Sequence, residues 1–452
     1  MNGKIIIFSI FSLIPLTARA AQVTLEAAVE KGLKADNILK EEAARVSGAK
    51  AGLSQARLAR LGGFKLKGMY TDGTDPVYAF AAAMKQGTFS MASMAAINDP
   101  APARNFTAGI EAGVPLFTGF AVTNAVKMGE LGTEAAQSGY ERARAGITFK
   151  ITYQWLTVLL RRRLAELASD SVKAAETELK TARMLKDKGM VPGSDYYGAE
   201  AILSTLRGYS LSWDKALELE KEKLAITLGM DAASGVDAAG GLNEAVYAEK
   251  TRSELAAAPP GGRRDIKALE KMAAVSRISE AMQENSVLPV VEAFGSWETN
   301  SESLSNFRSS RLLGLRLTVP LGDPAYFAKR DAARAEASMA SSRLDEARKQ
   351  ASIEVAEALN NYSAAKESLP VARETLEKAR QSLELFRPLY RQGRQSVLEV
   401  LRAQASVLQA EAAYYETLYK LNLYHARTLL ASETLDGAAI KEMSEKLVKT
   451  AN

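Results

Sequence analysis

The 452-residue sequence contains no cysteine. That excludes disulfide bonds, thiolate nucleophiles and zinc sites of the usual nitrogen–sulfur type. Histidine is almost as scarce: His425 is the only one, near Tyr424 and Arg427. Any Ser-His-acid chemistry would have to run through it, and no nucleophile elbow is in view. No phosphate loop of the Gly-Lys-Ser/Thr type occurs, so no nucleotide is expected. These absences argue against an enzyme and against any cofactor or resident metal. His425 reads as a satisfied or exposed helical residue. Aromatic residues make up 7%, and none alternate with a basic stripe, so no nucleic-acid partner is expected.

Long hydrophobic runs are also missing once the N-terminus is set aside. Lys4, the apolar stretch IIIFSIFSLIPL and Ala18-Arg19-Ala20 have the form of a secretory signal peptide with cleavage after Ala20. That run is short for a spanning helix, which needs about 20 apolar residues. The next best run, ITFKITYQWLTVLLRRR (147–163), is broken by Lys150 and Gln154 and ends in three arginines. The formal charge of +5 loses Lys4 and Arg19 with the leader and falls to a mild +3. The chain is therefore expected to leave the cytoplasm. If it enters a membrane it must do so as a closed β-barrel, because only helices and closed barrels satisfy every backbone group in lipid.

Periodicity divides the remainder. A first repeat is expected over 21–228. It holds a helix from Thr24 to about Leu61, a strand at 64–72, a Gly/Pro/Ala/Met-rich loop at 73–104, a strand at 105–116, and helices at 119–188 and 194–228. The first of these long helices would run about 100 Å at 1.5 Å per residue. Residues 229–262 read as a linker ending in Pro259-Pro260-Gly261-Gly262. A second repeat is expected over 263–431, with strands at 287–299 and 310–321 and helices at 265–285, 324–390 (interrupted at Pro370) and 396–431. The polar tail at 432–452 is expected to be loose.

Two landmarks support the repeat. Gly393 lies 204 residues after Gly189, and VPLGDP at Val319 lies 205 after VPLFTG at Val114. Four strands per chain are too few for an outer-membrane barrel, which needs at least about eight; three copies would supply twelve. Leu313, Leu315, Leu317 and Val319 would then face lipid, and Lys65, Lys67, Glu111 and Arg316 water. The competing reading is a soluble antiparallel sheet beside helices. In the last helix Leu398, Leu401, Ala405, Leu408, Ala412, Tyr415, Tyr419 and Asn422 step by three and four alternately. This is a heptad seam for helices packed knobs-into-holes.

With VPLFTGF (114–120), VPLGDP (319–324), KGMVPGSDYYGAEA (188–201), YRQGRQSVLEVLRAQ (390–404), LLGLRLTVPL and GTDPVYAF (73–80) in this order, the chain resembles the TolC family of outer-membrane efflux proteins. The resemblance spans nearly all of the mature chain. It implies a mainly α fold with a transmembrane β-barrel, in which a homotrimer builds a twelve-stranded barrel and a twelve-helix periplasmic tunnel. It also implies an outer-membrane location, contact with outer-membrane lipid, and docking of a periplasmic adaptor and an inner-membrane pump at the tunnel's tip. The implied function is a passive exit duct for efflux or type I secretion. The alternative from another class is a soluble periplasmic adaptor or scaffold of helical hairpins.

In that family, acidic residues just after the second turn narrow the periplasmic mouth. The matching positions are Glu399 and Arg402, the second with its charge reversed, so a gate held by Glu399–Arg402 pairs is expected. Ser396-Val397-Leu398-Glu399 is also a capping box, and both readings of Glu399 stand together. Asp195 is the acid beside the first turn, either a gate member or a first-turn acid favoured by the helix dipole. Gly189, Met190, Arg391, Gly393 and Arg394 mark the tip expected to touch the adaptor. Pro115, Leu116, Pro320 and Leu321 mark the strand-to-helix junctions. Met84, Met91 and Met94 suggest either soft-metal handling or flexible apolar contact, the latter favoured.

Overall fold

The structure, a computed structural model, describes residues 22–244, 247 and 262–448. The expected signal peptide and the Pro-Pro-Gly end of the linker lie outside the described residues. The chain forms two units. Among the described residues, one comprises 42–140 and 265–347; the other comprises 22–41, 141–244, 247, 262–264 and 348–448.

The first unit carries a four-stranded antiparallel sheet. Its strands are β2 (Gly63–Gly73), β3 (Ala103–Thr118), β5 (Val290–Ser301) and β6 (Arg308–Thr318), in the order β2-β3-β5-β6. The register aligns Lys67 with Gly109, Gly109 with Glu298 and Glu298 with Ser310. Alternation of side chains then sorts the sheet into two faces. Phe64, Leu66, Ile110, Trp297, Leu313, Leu315 and Leu317 lie on one, all exposed. Lys67, Thr107, Glu111, Glu298, Asn300 and Arg316 lie on the other. Pro115 sits at a register shift inside β3, whereas Pro320 and Leu321 follow β6 as exposed coil. The two VPL motifs thus end their strands differently.

The expected loop at 73–104 is not a loop throughout. It contains α3 (Pro76–Gln86), with Asp75 Oδ1 accepting the Tyr78 N–H at 2.7 Å, proline at the first helical turn and Gly87 left-handed at its end. The helix expected as one piece from Thr24 is two, α1 (Leu25–Ala35) and α2 (Asn37–Leu58). Asp36 breaks it by turning its carboxylate onto the Ile38 and Leu39 N–H groups at 2.8 and 3.1 Å, a local bond that competes with helix continuation.

The second unit is helical. It takes parts of α4 (Ala121–Asp187) and of α7 (Tyr326–Arg391), together with α5 (Gly193–Thr227), α8 (Val397–Ala431) and α9 (Gly437–Val448). The short helix α6 (Arg264–Glu284) precedes β5. Along α7 the buried residues are Ala337, Leu344, Ala351, Ala358 and Ala365, then Leu369, Leu376, Leu383 and Tyr390. They recur every seven positions, with a single step of four at Leu369. A strict heptad imposes a left-handed supercoil, and a four-residue stutter relaxes it locally. Pro370, expected to interrupt this helix, lies inside it. It is exposed. On α8 the burial is wider than the expected seam. Val400, Ala403, Val407 and Ala410 are buried beside Leu401 and Leu408, because α4, α5 and α7 all contribute side chains to the cluster around it.

The tail expected to be loose is held, and so is the first part of the expected linker. Ile440, Met443 and Leu447 bury the apolar stripe of α9, an amphipathic face that the polar composition of the tail concealed. At the start of the linker, β4 (Asp237–Ala238) pairs in parallel with β1 (Gln22–Val23). Arg162 donates to Ala238 O at 2.7 Å and to Gly240 O, and Lys221 pairs with Asp237 at 2.9 Å.

The ends of α5 and α8 share one hydrogen-bond pattern but not one residue type. Gly229 N–H donates to Ile226 O and Met230 N–H to Ala225 O; Glu433 N–H donates to Leu430 O and Thr434 N–H to Leu429 O. Gly229 has φ 69° and Glu433, a non-glycine, φ 58°. The left-handed region costs a side-chain-bearing residue about 1–2 kcal/mol. Glu433 is held there by Arg142 at 2.8 Å and Arg264 at 2.8 Å. Glu433→Ala, which keeps the strain and loses both ion pairs, is expected to lower the thermal midpoint more than Glu433→Gly, which loses the pairs but relieves the strain. The gap should correspond to about 1 kcal/mol, read by circular dichroism melts in detergent.

Candidate functional site at the helical turns

Both long-helix hairpins end in the same turn. After α4, Gly189 N–H donates to Lys186 O at 2.8 Å and Met190 N–H to Leu185 O at 2.9 Å. After α7, Gly393 N–H donates to Tyr390 O at 2.9 Å and Arg394 N–H to Leu389 O at 2.8 Å. Gly189 and Gly393 have φ 76° and 71°. Each is the left-handed residue of a Schellman motif, which satisfies the last carbonyls of the helix. Gly189, Met190, Arg391, Gly393 and Arg394 are all exposed.

The second turn leads into α8 through Ser396, whose Oγ accepts the Glu399 N–H at 3.4 Å. The capping box is only half made. The Glu399 carboxylate accepts from Arg402 at 2.7 Å instead, a pair that a three-residue helical spacing permits. Arg402 is well exposed and Glu399 half-buried. Asp195 lies in the first turn of α5, where the Ser194 hydroxyl donates to it at 3.4 Å; it is not part of the Glu399–Arg402 pair. Pro192 occupies the cap position there without a side-chain bond. Beneath the turns, Tyr196, Ala199, Leu203, Leu383, Tyr390, Val397, Val400 and Leu401 form one apolar cluster with Leu179 and Ala182 of α4. This packing fixes where the turns project.

Some features at this end went unread in the sequence. Lys186 lies 4.4 Å from the Tyr196 ring centre and 4.6 Å from that of Tyr197, a double cation–π contact whose members meet only across the turn. Arg387 donates to Gln404 at 3.2 Å and lies 3.9 Å from Glu178, tying α7 to α8 and α4. The seven-residue spacing on α7 was available as a signal; these cross-helix contacts were not.

The single histidine lies elsewhere in the helical unit. The His425 ring stacks on Tyr247 at 3.8 Å and 8°. The Tyr247 hydroxyl donates to Asn422 Oδ1 at 2.5 Å, and Asn422 Nδ2 donates to Asn243 O at 3.3 Å and Leu418 O at 2.8 Å. Burial pulls the His425 imidazole down to about 4; Lys446 acts the same way and Glu442 against it. Met84, Met91 and Met94 are exposed, and among the described residues no cluster of His, Asp and Glu could hold a metal ion.

Because folding depresses the His425 pKa, the unfolded chain takes up the proton first as pH falls. The stabilising contribution is therefore full above about 6.5 and is lost as pH drops from there towards 4. His425→Gln is expected to flatten that limb of the thermal midpoint against pH, leaving the curve above pH 7 parallel to the original.

Residues 262–431 match the model of the outer membrane efflux protein family. Among solved structures, a membrane protein from Pseudomonas aeruginosa superposes with a TM-score of 0.80 at 18% identity, covering 91% of each chain. The Campylobacter jejuni CmeC outer membrane channel gives 0.78 at 16% identity, over 95% of this chain and 90% of that one. The outer membrane protein VceC of Vibrio cholerae gives 0.76 at 17%, over 89% and 96%. No curated protein sequence matches the chain.

Proposed function

We propose, from the match of residues 262–431 to the outer membrane efflux protein family model, that this chain is one protomer of an outer-membrane exit duct. The observation that carries the reading is the sheet: an exposed apolar face, a polar face opposite, and two edges, β2 and β6, with no partner strand among the described residues. Three copies would join these edges into twelve strands, with the apolar face to lipid and the polar face to water. The two halves would be structural repeats, and their long helices would form the periplasmic tunnel. The likeness to CmeC and VceC supports this architecture at the level of fold.

In this reading the duct is passive. An inner-membrane pump delivers the substrate, and a periplasmic adaptor holds the exposed tip at Gly189, Met190, Arg391, Gly393 and Arg394. Glu399 and Arg402 would stand at the tunnel's mouth as three internally neutralised pairs, with Asp195 as the neighbouring acid. Such a mouth would not act as a purely acidic ring. An exposed pair contributes only about 0–1 kcal/mol to stability, so its replacement should alter conduction and leave the fold intact.

The test of the duct is the mass of the detergent-extracted mature protein by light scattering, from separated membrane fractions. A trimer from the outer membrane is expected. A detergent-independent monomer or dimer in the soluble periplasm would instead assign a helical scaffold. In bilayer recordings, Arg402→Ala is expected to make the channel more cation-selective by baring three carboxylates. Glu399→Ala/Arg402→Ala is expected to raise closed-state conductance. Unchanged reversal potential and conductance in both variants would remove the pair from the gate.

A further inference from the structure

Helix α3 lies across the polar face of the sheet, and its dimensions match that face. Eleven residues rise about 16 Å at 1.5 Å each; four strands span about 14 Å across three spacings of some 4.8 Å. Near its start, the Tyr78 hydroxyl donates to Thr71 O of β2 at 3.1 Å. Near its end, Gln86 donates to Asn105 Oδ1 of β3 at 3.0 Å, Lys85 pairs with Glu298 of β5 at 2.7 Å, and Gly87 abuts Arg308 of β6. Ala79 and Ala82 face inward and are buried; their small side chains let the helix lie close to the strands.

Beneath it the polar groups satisfy one another. Asn105 Nδ2 donates to Thr107 Oγ1 at 2.9 Å and to Asn300 Oδ1 at 2.8 Å, and Thr107 Oγ1 donates to Asn300 Oδ1 at 2.8 Å. Asn300 is fully buried and Asn105 and Thr107 nearly so. On a face where Glu111 and Arg316 are exposed to water and Lys67 is half-buried, this end has been covered by a fixed element. A buried, mutually bonded polar network rigidifies what it joins, so α3 is anchored to the sheet at both ends.

The side of α3 that looks away from the sheet is apolar. Val77 is 77% exposed, Met84 56% and Phe80 39%, at spacings of three and four that place them on one helical stripe. Nothing about the sheet requires apolar residues there.

We propose that α3 lines the inside of the duct near the end of the barrel remote from the helices, and that Val77, Phe80 and Met84 of three copies form an apolar collar around the axis. The proposal rests on the duct reading. An apolar constriction resists hydrated ions by dewetting while admitting molecules that shed water readily. The collar is therefore a second selecting station, separate in sequence and chemistry from the charged pair at the turns. It favours apolar and amphiphilic cargo over free ions.

The absence of cysteine makes the test clean. Met84→Cys and, on the lipid-facing side, Leu313→Cys are each reconstituted in bilayers, with the native tip and with Glu399→Ala/Arg402→Ala. A charged methanethiosulfonate is then added, and labelling is followed by mass spectrometry. At Met84→Cys complete labelling and at least a twofold change in single-channel conductance are expected; at Leu313→Cys, neither. Labelled Met84→Cys with unaltered conductance in both backgrounds, or a Cys at 84 that the reagent cannot reach, would overturn the collar and leave the duct standing. Absence of any channel, unmodified protein included, would overturn the duct and the collar with it.

Discussion

The unsatisfied backbone at the two edges of the sheet is the constraint on which the other features depend. Within the described chain β2 and β6 each have one neighbour, and the strands carry Phe64, Leu66, Leu313 and Leu315 outward with most of their surface bare. A soluble protein blunts an open edge with charge, proline or a covering loop and keeps large apolar faces inward. Here the edges are long and regular and one exposed face is apolar. Closure with further strands in a lipid solvent would resolve both deficits together, and the duct proposal rests on that.

The helical unit answers a different demand, the packing of very long helices without a bulky core. Alanine recurs at every seventh position through much of α7, then leucine and tyrosine towards the turn. Small residues allow close approach of the helices; larger ones fill the cluster beneath the turns. Paired Schellman turns close the hairpins through backbone bonds at Gly189 and Gly393 and leave Met190, Arg391 and Arg394 exposed. Glu433 is the opposite case. Its backbone strain is offset by Arg142 and Arg264, and it fixes the point where α8 gives way to α9.

Glu399 serves the cap through its backbone N–H and Arg402 through its carboxylate. His425 spends its ring on stacking against Tyr247, and burial keeps it neutral.

Local features were legible because their causes are local. Strand faces follow from a period of two, the turns from glycines that take positive φ, the Ser396 cap and the Glu399–Arg402 pair from spacings of three. The helix α3 had the same kind of signal, Asp75-Pro76 at its start and Gly87 at its end, and was missed because the Gly, Pro and Met content of 73–104 suggested a loop. The packed α9 was missed for a like reason, its stripe of Ile440, Met443 and Leu447 hidden in a polar tail. What no local pattern contains is adjacency between distant residues. That β3 pairs with β5, that α3 covers Asn105 and Asn300, that Arg142 and Arg264 meet at Glu433, and that Lys186 meets both Tyr196 and Tyr197 were decided by tertiary structure alone. Hydrogen bonds and ion pairs act within a few ångströms, and only the folded chain brings these partners within that range.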